Sequence, residues 1–103
     1  DFPDFASEVS DFVLNNEDCR GVLICGSGVG MSIAANKTSG IRAANVSDVD
    51  TAVQSVEHNN ANVLCLGSNN VNEGDAVTVV NSFLSASFLN EENYVRRVNK
   101  FEG

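Results

Sequence analysis

No stretch of this sequence carries the roughly 20 consecutive apolar residues that a membrane-spanning helix needs, which excludes a bilayer-crossing role of that kind. Basic residues are scarce as well. Six Lys and Arg stand against fourteen Asp and Glu, and a formal charge of −8 repels nucleic acid and anionic lipid over most of the surface. Any anion site must therefore be local. Cys19, Cys25 and Cys65 are odd in number and lack CxxC spacing, so neither a disulfide framework nor a metal site is expected, and a cytoplasmic setting fits best. The start, Asp1-Phe2-Pro3-Asp4, lacks a basic segment followed by an apolar stretch, so no signal peptide is visible. Repeats, linkers and low-complexity segments are absent too.

What the 103 residues do contain is 43% apolar material, enough to bury one core between a small sheet and its covering helices. A single domain over residues 1–103 is expected. Phe2, Phe5, Ala6, Val9, Phe12 and Val13 recur at three- and four-residue intervals, which predicts an amphipathic helix over residues 2–15, ended by Asn15-Asn16. Gly21-Val22-Leu23-Ile24-Cys25 is a short continuous apolar run of the kind found in strands buried on both faces. It empties into Gly26-Ser27-Gly28-Val29-Gly30.

Further along, the pattern predicts a helix from Val29 to Lys37, a strand from Ile41 to Val46, a helix from Asp48 to His58 and a strand from Val63 to Leu66. A helix from Glu73 to Phe88 follows, with Ala76, Val77, Val80, Phe83, Leu84 and Phe88 on its buried face. Residues 91–101 read as a terminal helix placed to reach a partner. Strands alternating with helices define an α/β fold, a Rossmann-like parallel sheet with helices on both faces in three αβα layers. Three strands are few for that class, which points to N-terminal elements lying outside the sequence.

In open α/β sheets, ligands collect at the carboxyl ends of the strands, where Cys25 to Ser32 is expected to lie. Glycines at 26, 28 and 30 allow a tight turn with several N–H groups near a ligand, and the following helix adds its positive end. Phosphate or an enediolate oxyanion would suit such a loop. GSGVG lacks the third glycine of the dinucleotide fingerprint, and Gly30 is followed by Met31-Ser32 rather than by the Lys of a P-loop. A nucleophile elbow fails as well, because the residue two before Ser27 is Cys25.

Cys25 carries most weight, since a thiol at a strand end and helix mouth has its thiolate favoured by the dipole and backbone donors, and could act as a base. It could equally finish a buried strand as a small apolar residue, the role that suits Cys65 better. His58, the one histidine, stands in Glu57-His58-Asn59-Asn60 at a helix end. There it serves either as a C-terminal cation or as the natural proton carrier near neutrality. Arg96, Arg97 and Lys100 crowd the last eight residues, which suits a helix C-terminus.

Taken together, Gly21–Lys37, Gly40-Ile-Arg-Ala-Ala44, Glu57-His-Asn59 and Ala61–Gly67 resemble type B ribose-5-phosphate isomerases and their galactose-6-phosphate relatives. The likeness runs from Asp1-Phe2-Pro3, similar to the family's Asp-Tyr-Pro, to Arg96-Arg97-Val98. It implies a Rossmann-like fold, no metal or cofactor, and a homodimer, or a tetramer, whose sites combine residues of two subunits around a sugar phosphate. By the same resemblance Cys25 is the base that moves a proton between C1 and C2, while Ser27 and His58 open the sugar ring, His58 coming from the neighbouring subunit. Gly26, Gly28, Val29, Gly30, Met31 and Ser32 would line the enediolate, Asn59 would touch a sugar hydroxyl, and Asp1 and Phe2 would border the substrate.

The expected activity is interconversion of ribose 5-phosphate and ribulose 5-phosphate through a cis-enediolate, in the pentose phosphate pathway. A galactose-6-phosphate or allose-6-phosphate isomerase subunit, or a non-catalytic sugar-phosphate-binding module, is the alternative. Two departures bear on this. The family's opening strand and helix, with their Asp-His pair, are missing. Asn69 and Asn93 stand where the family's phosphate site commonly has arginines, leaving Arg97, with Arg96 beside it, as the cations for phosphate.

Overall fold

The computed structural model describes residues 1–102. These residues form five helices and three strands, alternating up to α4: α1 (Phe2–Leu14), β1 (Gly21–Cys25), α2 (Val29–Asn36), β2 (Ala43–Asn45), α3 (Val49–Glu57), β3 (Val63–Gly67), α4 (Glu73–Ser85) and α5 (Glu92–Asn99). The strands are all parallel in the order β1-β3-β2, with Gly21 and Ala43 both in register with Val63. β3 is central and buried at every residue, which is why its sequence is an unbroken apolar run.

Successive side chains of β3 point to opposite faces and so divide the core in two. Val63 and Cys65 join Ala6, Val13, Leu23, Met31, Ala35 and Ile41 under α1 and α2. Leu64 and Leu66 join Val46, Ala52, Val56, Ala61, Val79 and Phe83 under α3 and α4. This is the three-layer α/β arrangement predicted. No helix among the described residues is long and apolar enough to cross a membrane.

The helix patterns need correction in detail. On α1 the core-facing line is Ala6, Val9, Ser10 and Val13, whereas Phe2, Phe5 and Phe12 are 48%, 61% and 60% exposed. Close packing explains the choice of small residues: α1 lies so near β1 that a Cβ on Gly21 would sit 2.6 Å from Val9 Cγ1. On α4, Val79 and Phe83 are buried, Ala76 and Val80 are partly so, and Val77 and Leu84 face outward. A three-and-four spacing allows two adjacent stripes, and contact with α3 selects the one through Val79. The helix stops at Ser85, so Phe88 lies beyond it.

β2 starts later than predicted: the Arg42 carbonyl still accepts from the Val63 N–H at 3.3 Å, but the Arg42 N–H donates to Asn62 Oδ1 at 2.7 Å instead of to a strand. Its outer edge is not left open. Asn36 Oδ1 accepts from the Ala43 N–H at 2.8 Å and Asn36 Nδ2 donates to the Ala43 carbonyl at 3.0 Å, so one side chain stands in for a neighbouring strand. At the end of α4, Arg20 donates to the Phe83 and Leu84 carbonyls at 2.7 and 3.2 Å, closing acceptors that the helix leaves unpaired.

Candidate active site

Cys25 ends β1 opposite Gly67 of β3, at the end of the sheet where the strand-to-helix loops converge. The chain then turns through Gly26-Ser27-Gly28 into α2. Gly28 precedes the helix at φ +80°, a conformation that glycine takes without steric cost, and a Cβ there would meet the Asn45 side chain and the Gly67 amide. The turn lets the Gly28 N–H donate to Cys25 Sγ at 3.1 Å and the Val29 N–H donate to Ser27 Oγ at 3.2 Å. The sulfur is part-buried, carries a backbone donor and stands at the positive end of α2.

Behind the loop, every carbonyl is tied down. Ser68 N–H donates to the Cys25 carbonyl at 2.8 Å, and Asn69 N–H donates to the Gly26 carbonyl at 2.9 Å. Asn45 Nδ2 and Asn70 Nδ2 both donate to the Ser27 carbonyl at 3.4 Å. Since the C=O and N–H of a planar peptide point in opposite directions, fixing these carbonyls backward turns the amides that follow them the other way, where the Gly28 N–H meets Cys25 Sγ. Two neighbours border the same space. The Asn69 side-chain amide lies 3.3 Å from where a Cβ of Gly26 would be, and the Phe2 ring covers the first turn of α2, 2.8 Å from the Cβ position of Gly30.

Cys65 faces the same core as Cys25 but has no such setting. Burial first, and the neighbouring Cys25 second, push its thiol up to about 12. It is an apolar core residue, as expected.

His58 is elsewhere. It caps the C-terminus of α3, just before β3 begins at Val63, and so belongs to the end of the sheet marked by Gly21 rather than by Cys25. Four strand rises of about 3.3 Å separate those ends, about 13 Å along the sheet. One chain thus does not bring His58 and Cys25 together. Asn59 follows His58 and is exposed, and α5 carries Asn93, Arg96 and Arg97 on the same side, with both arginines in its exposed last turn.

This second group has its own structure. The His58 and Tyr94 rings are stacked, with centroids 4.6 Å apart and planes 9° from parallel. Beyond α5, the Glu102 carboxylate accepts from Ser39 Oγ at 2.9 Å and from the Gly40 N–H at 2.8 Å. These bonds, the backbone one first, hold Glu102 below its ordinary value of 4.5. α5 and the residues after it form an arm, and a cavity of about 570 Å³ is bordered by Phe101 and Glu102 of that arm and by Lys37, Arg42, Ser55 and Asn59. Burial lowers the Arg42 guanidinium from its ordinary value while Glu102 opposes the shift.

The loop residues Cys25, Ser27 and Gly26 to Ser32 therefore form one cluster with Phe2 and Asn69, and His58, Asn59, Asn93, Arg96 and Arg97 form another. Asp1 is exposed at the start of α1, its amino group 3.3 Å from Asp4 Oδ2. Sequence reasoning did not find Asn45 and Asn70, which hold the loop, nor Tyr94 and Glu102, which fix the arm. Asn45 had a weak signal as a polar residue closing an apolar strand; the others had none, since their partners are distant in sequence.

A family model described as Ribose/Galactose Isomerase matches residues 1–101. The chain is similar to a Mycoplasma genitalium protein named "Probable ribose-5-phosphate isomerase B", 46% identical over 101 residues, covering 97% of this chain and 66% of that protein. It is also similar to ribose-5-phosphate isomerase B of Escherichia coli K12, 46% identical over 88 residues, covering 85% of this chain and 59% of the relative. Among solved structures, the type B ribose 5-phosphate isomerase of Trypanosoma cruzi superposes with a TM-score of 0.95 at 46% identity, over 99% of this chain and 68% of that one. The chain thus spans about two thirds or less of the length of these curated relatives.

Proposed function

Because this chain belongs to the ribose/galactose isomerase family, we propose that it acts as a cofactor-independent sugar-phosphate isomerase with ribose 5-phosphate and ribulose 5-phosphate as its pair, the interconversion of the pentose phosphate pathway. The observation that carries the reading is the Cys25 sulfur, part-exposed at a strand end, receiving the Gly28 N–H at the mouth of α2.

The aldose arrives as a ring. Opening it removes the proton of the C1 hydroxyl, breaks the bond from C1 to the ring oxygen, and returns a proton to that oxygen, work for an acid–base group such as His58 with Ser27 assisting. In the open chain, the Cys25 thiolate takes the proton from C2, the C1 carbonyl oxygen gains negative charge, and an enediolate forms. Amides of the Gly26–Ser32 loop stabilise that charge as it develops, the usual source of the largest rate gain in such chemistry. The same thiol then returns the proton to C1, the proton of the C2 hydroxyl passes to the C1 oxygen, and the C2 oxygen becomes the carbonyl. Asn59 holds a sugar hydroxyl, and Asp1 and Phe2 border the substrate. Arg97 and Arg96 hold the phosphate, with Asn69 and Asn93 adding neutral hydrogen bonds. His58 and Cys25 lie at opposite ends of the sheet, so the reading requires a homodimer in which the second group comes from the partner.

Changing Cys25→Ala in the intact protein should lower kcat by roughly 10² to 10⁴, as loss of general-base catalysis does, with circular dichroism and KM little changed. Turnover in deuterated water should place deuterium at C2 of the recovered aldose. Undiminished activity in the Ala variant defeats the assignment. Parallel assays with allose 6-phosphate and galactose 6-phosphate decide the substrate.

A further inference from the structure

We propose that Tyr94 is the residue that positions His58 for proton transfer, a role that rests on the reading of His58 as the ring-opening group. His58 stands at the end of α3, where its backbone is held by donation of its N–H to the Gln54 carbonyl at 2.9 Å. Its side chain is another matter, for among the described residues no hydrogen bond reaches either imidazole nitrogen. What restrains the ring is the Tyr94 face, 4.6 Å away and 9° from parallel. That separation is at the close end of the range, about 4.5 to 7 Å, in which aromatic pairs attract.

A stack suits a proton carrier better than a hydrogen bond would. Both nitrogens lie in the plane of the imidazole, so a partner on its face fixes the plane and leaves both free to give or take a proton. A hydrogen-bond partner would occupy one of them.

Tyr94 is itself held, and not by core packing, since α5 has no buried residue. Ahead of it, the Leu89 N–H donates to the carbonyl of Glu57, the residue before His58, at 3.1 Å. Behind it, Glu102 grips Ser39 and Gly40. Bonds on both sides of Tyr94 therefore set its ring against α3. A tyrosine that merely filled a core would need no such tethers and would be buried.

The test uses Tyr94→Leu and Tyr94→Phe in the intact protein, with a direct structural readout beside the kinetic one. His58 is the one histidine of these 103 residues, and its ring protons are identified in the proton spectrum as the signals that a His58→Ala protein lacks. Stacking should displace them upfield. The displacement should survive in Tyr94→Phe and disappear in Tyr94→Leu. Kinetically, ribose 5-phosphate must be opened from its ring, whereas ribulose 5-phosphate has its C5 oxygen esterified and cannot close a furanose ring on C2. Tyr94→Leu should therefore lower kcat from the aldose roughly tenfold, KM staying within about twofold, as expected for a misplaced catalytic group. Exchange of the C1 hydrogens of ribulose 5-phosphate with deuterated water, which passes through the enediolate and needs no ring opening, should hold in Tyr94→Leu, and Tyr94→Phe should behave as wild type in both measurements.

Unmoved imidazole signals in Tyr94→Leu overturn the proposal, as do signals that move while aldose turnover stays at the wild-type rate. Loss of that C1 exchange in step with aldose turnover also overturns it, because the defect would then not lie in ring opening. A wild-type protein without isomerase activity defeats the preceding reading instead, and with it any role of Tyr94 in that reaction.

Discussion

Cys25 and Cys65 face one core from neighbouring strands, yet one is part-exposed with a backbone donor on its sulfur and the other is sealed. Their difference can be measured. With its thiol pushed up to about 12, Cys65 should stay unmodified by iodoacetamide in the folded protein at mildly alkaline pH, while Cys25 and the part-exposed Cys19 react; peptide mass spectrometry reads the outcome. Labelling of Cys65 at the rate of Cys19 would show a core that opens freely. The sign follows from the raised value. What the protonated Cys65 thiol contributes to stability is complete below its ordinary 9.0, and it erodes as pH rises from there toward 12, because the unfolded chain then ionises first.

Among the elements, α4 and α5 are attached by different means. Phe83 of α4 is fully buried, and Phe83→Ala should cost about 3 to 5 kcal/mol from lost burial and the cavity left behind, read as a lower denaturant midpoint at constant m. α5 buries nothing and depends on its tethers. Glu102 is one of these, and its value is lowered, so its contribution is present above its ordinary 4.5 and is lost as pH falls through the lower folded value. Tyr94 is the one tyrosine and tryptophan is absent, so tyrosine emission reports on the arm alone. Its anisotropy should drop as the solution is acidified below that ordinary value. In Glu102→Gln it should already be low at neutral pH, and anisotropy equal to wild type there would remove Glu102 as a tether.

For the whole molecule, the decisive fact is that the two candidate groups sit at opposite ends of a parallel sheet. In the proposed dimer, the Cys25→Ala and His58→Ala proteins should each be inactive alone. Mixed and allowed to exchange subunits, they should regain about a quarter or less of wild-type turnover, because a hybrid dimer carries one site with both groups intact. No recovery after subunit exchange has been demonstrated by mass would place the two groups in separate functions.

Much of this was legible in the residues alone, wherever the signal was local. The fully buried strand at Val63–Gly67, the glycine turn between β1 and α2, and the alternation that makes an α/β sandwich all follow from backbone sterics and from the period of apolar side chains, whereas Gly21–Cys25 is a strand as read but lies at the sheet edge, buried only at Gly21 and Leu23 and with Ile24 58% exposed. Cys25 at a strand end could be placed for the same reason. Tertiary structure decided what periodicity leaves open: which of two adjacent stripes on α4 meets α3, why three phenylalanines of α1 face outward while Ala6 and Ser10 face in, and which partners lie across the fold. The stack of Tyr94 on His58 and the grip of Glu102 on Ser39 and Gly40 join segments that no local pattern connects. Their pairing depends on where the chain returns in space, and that is set by the packing of helices on both faces of the sheet.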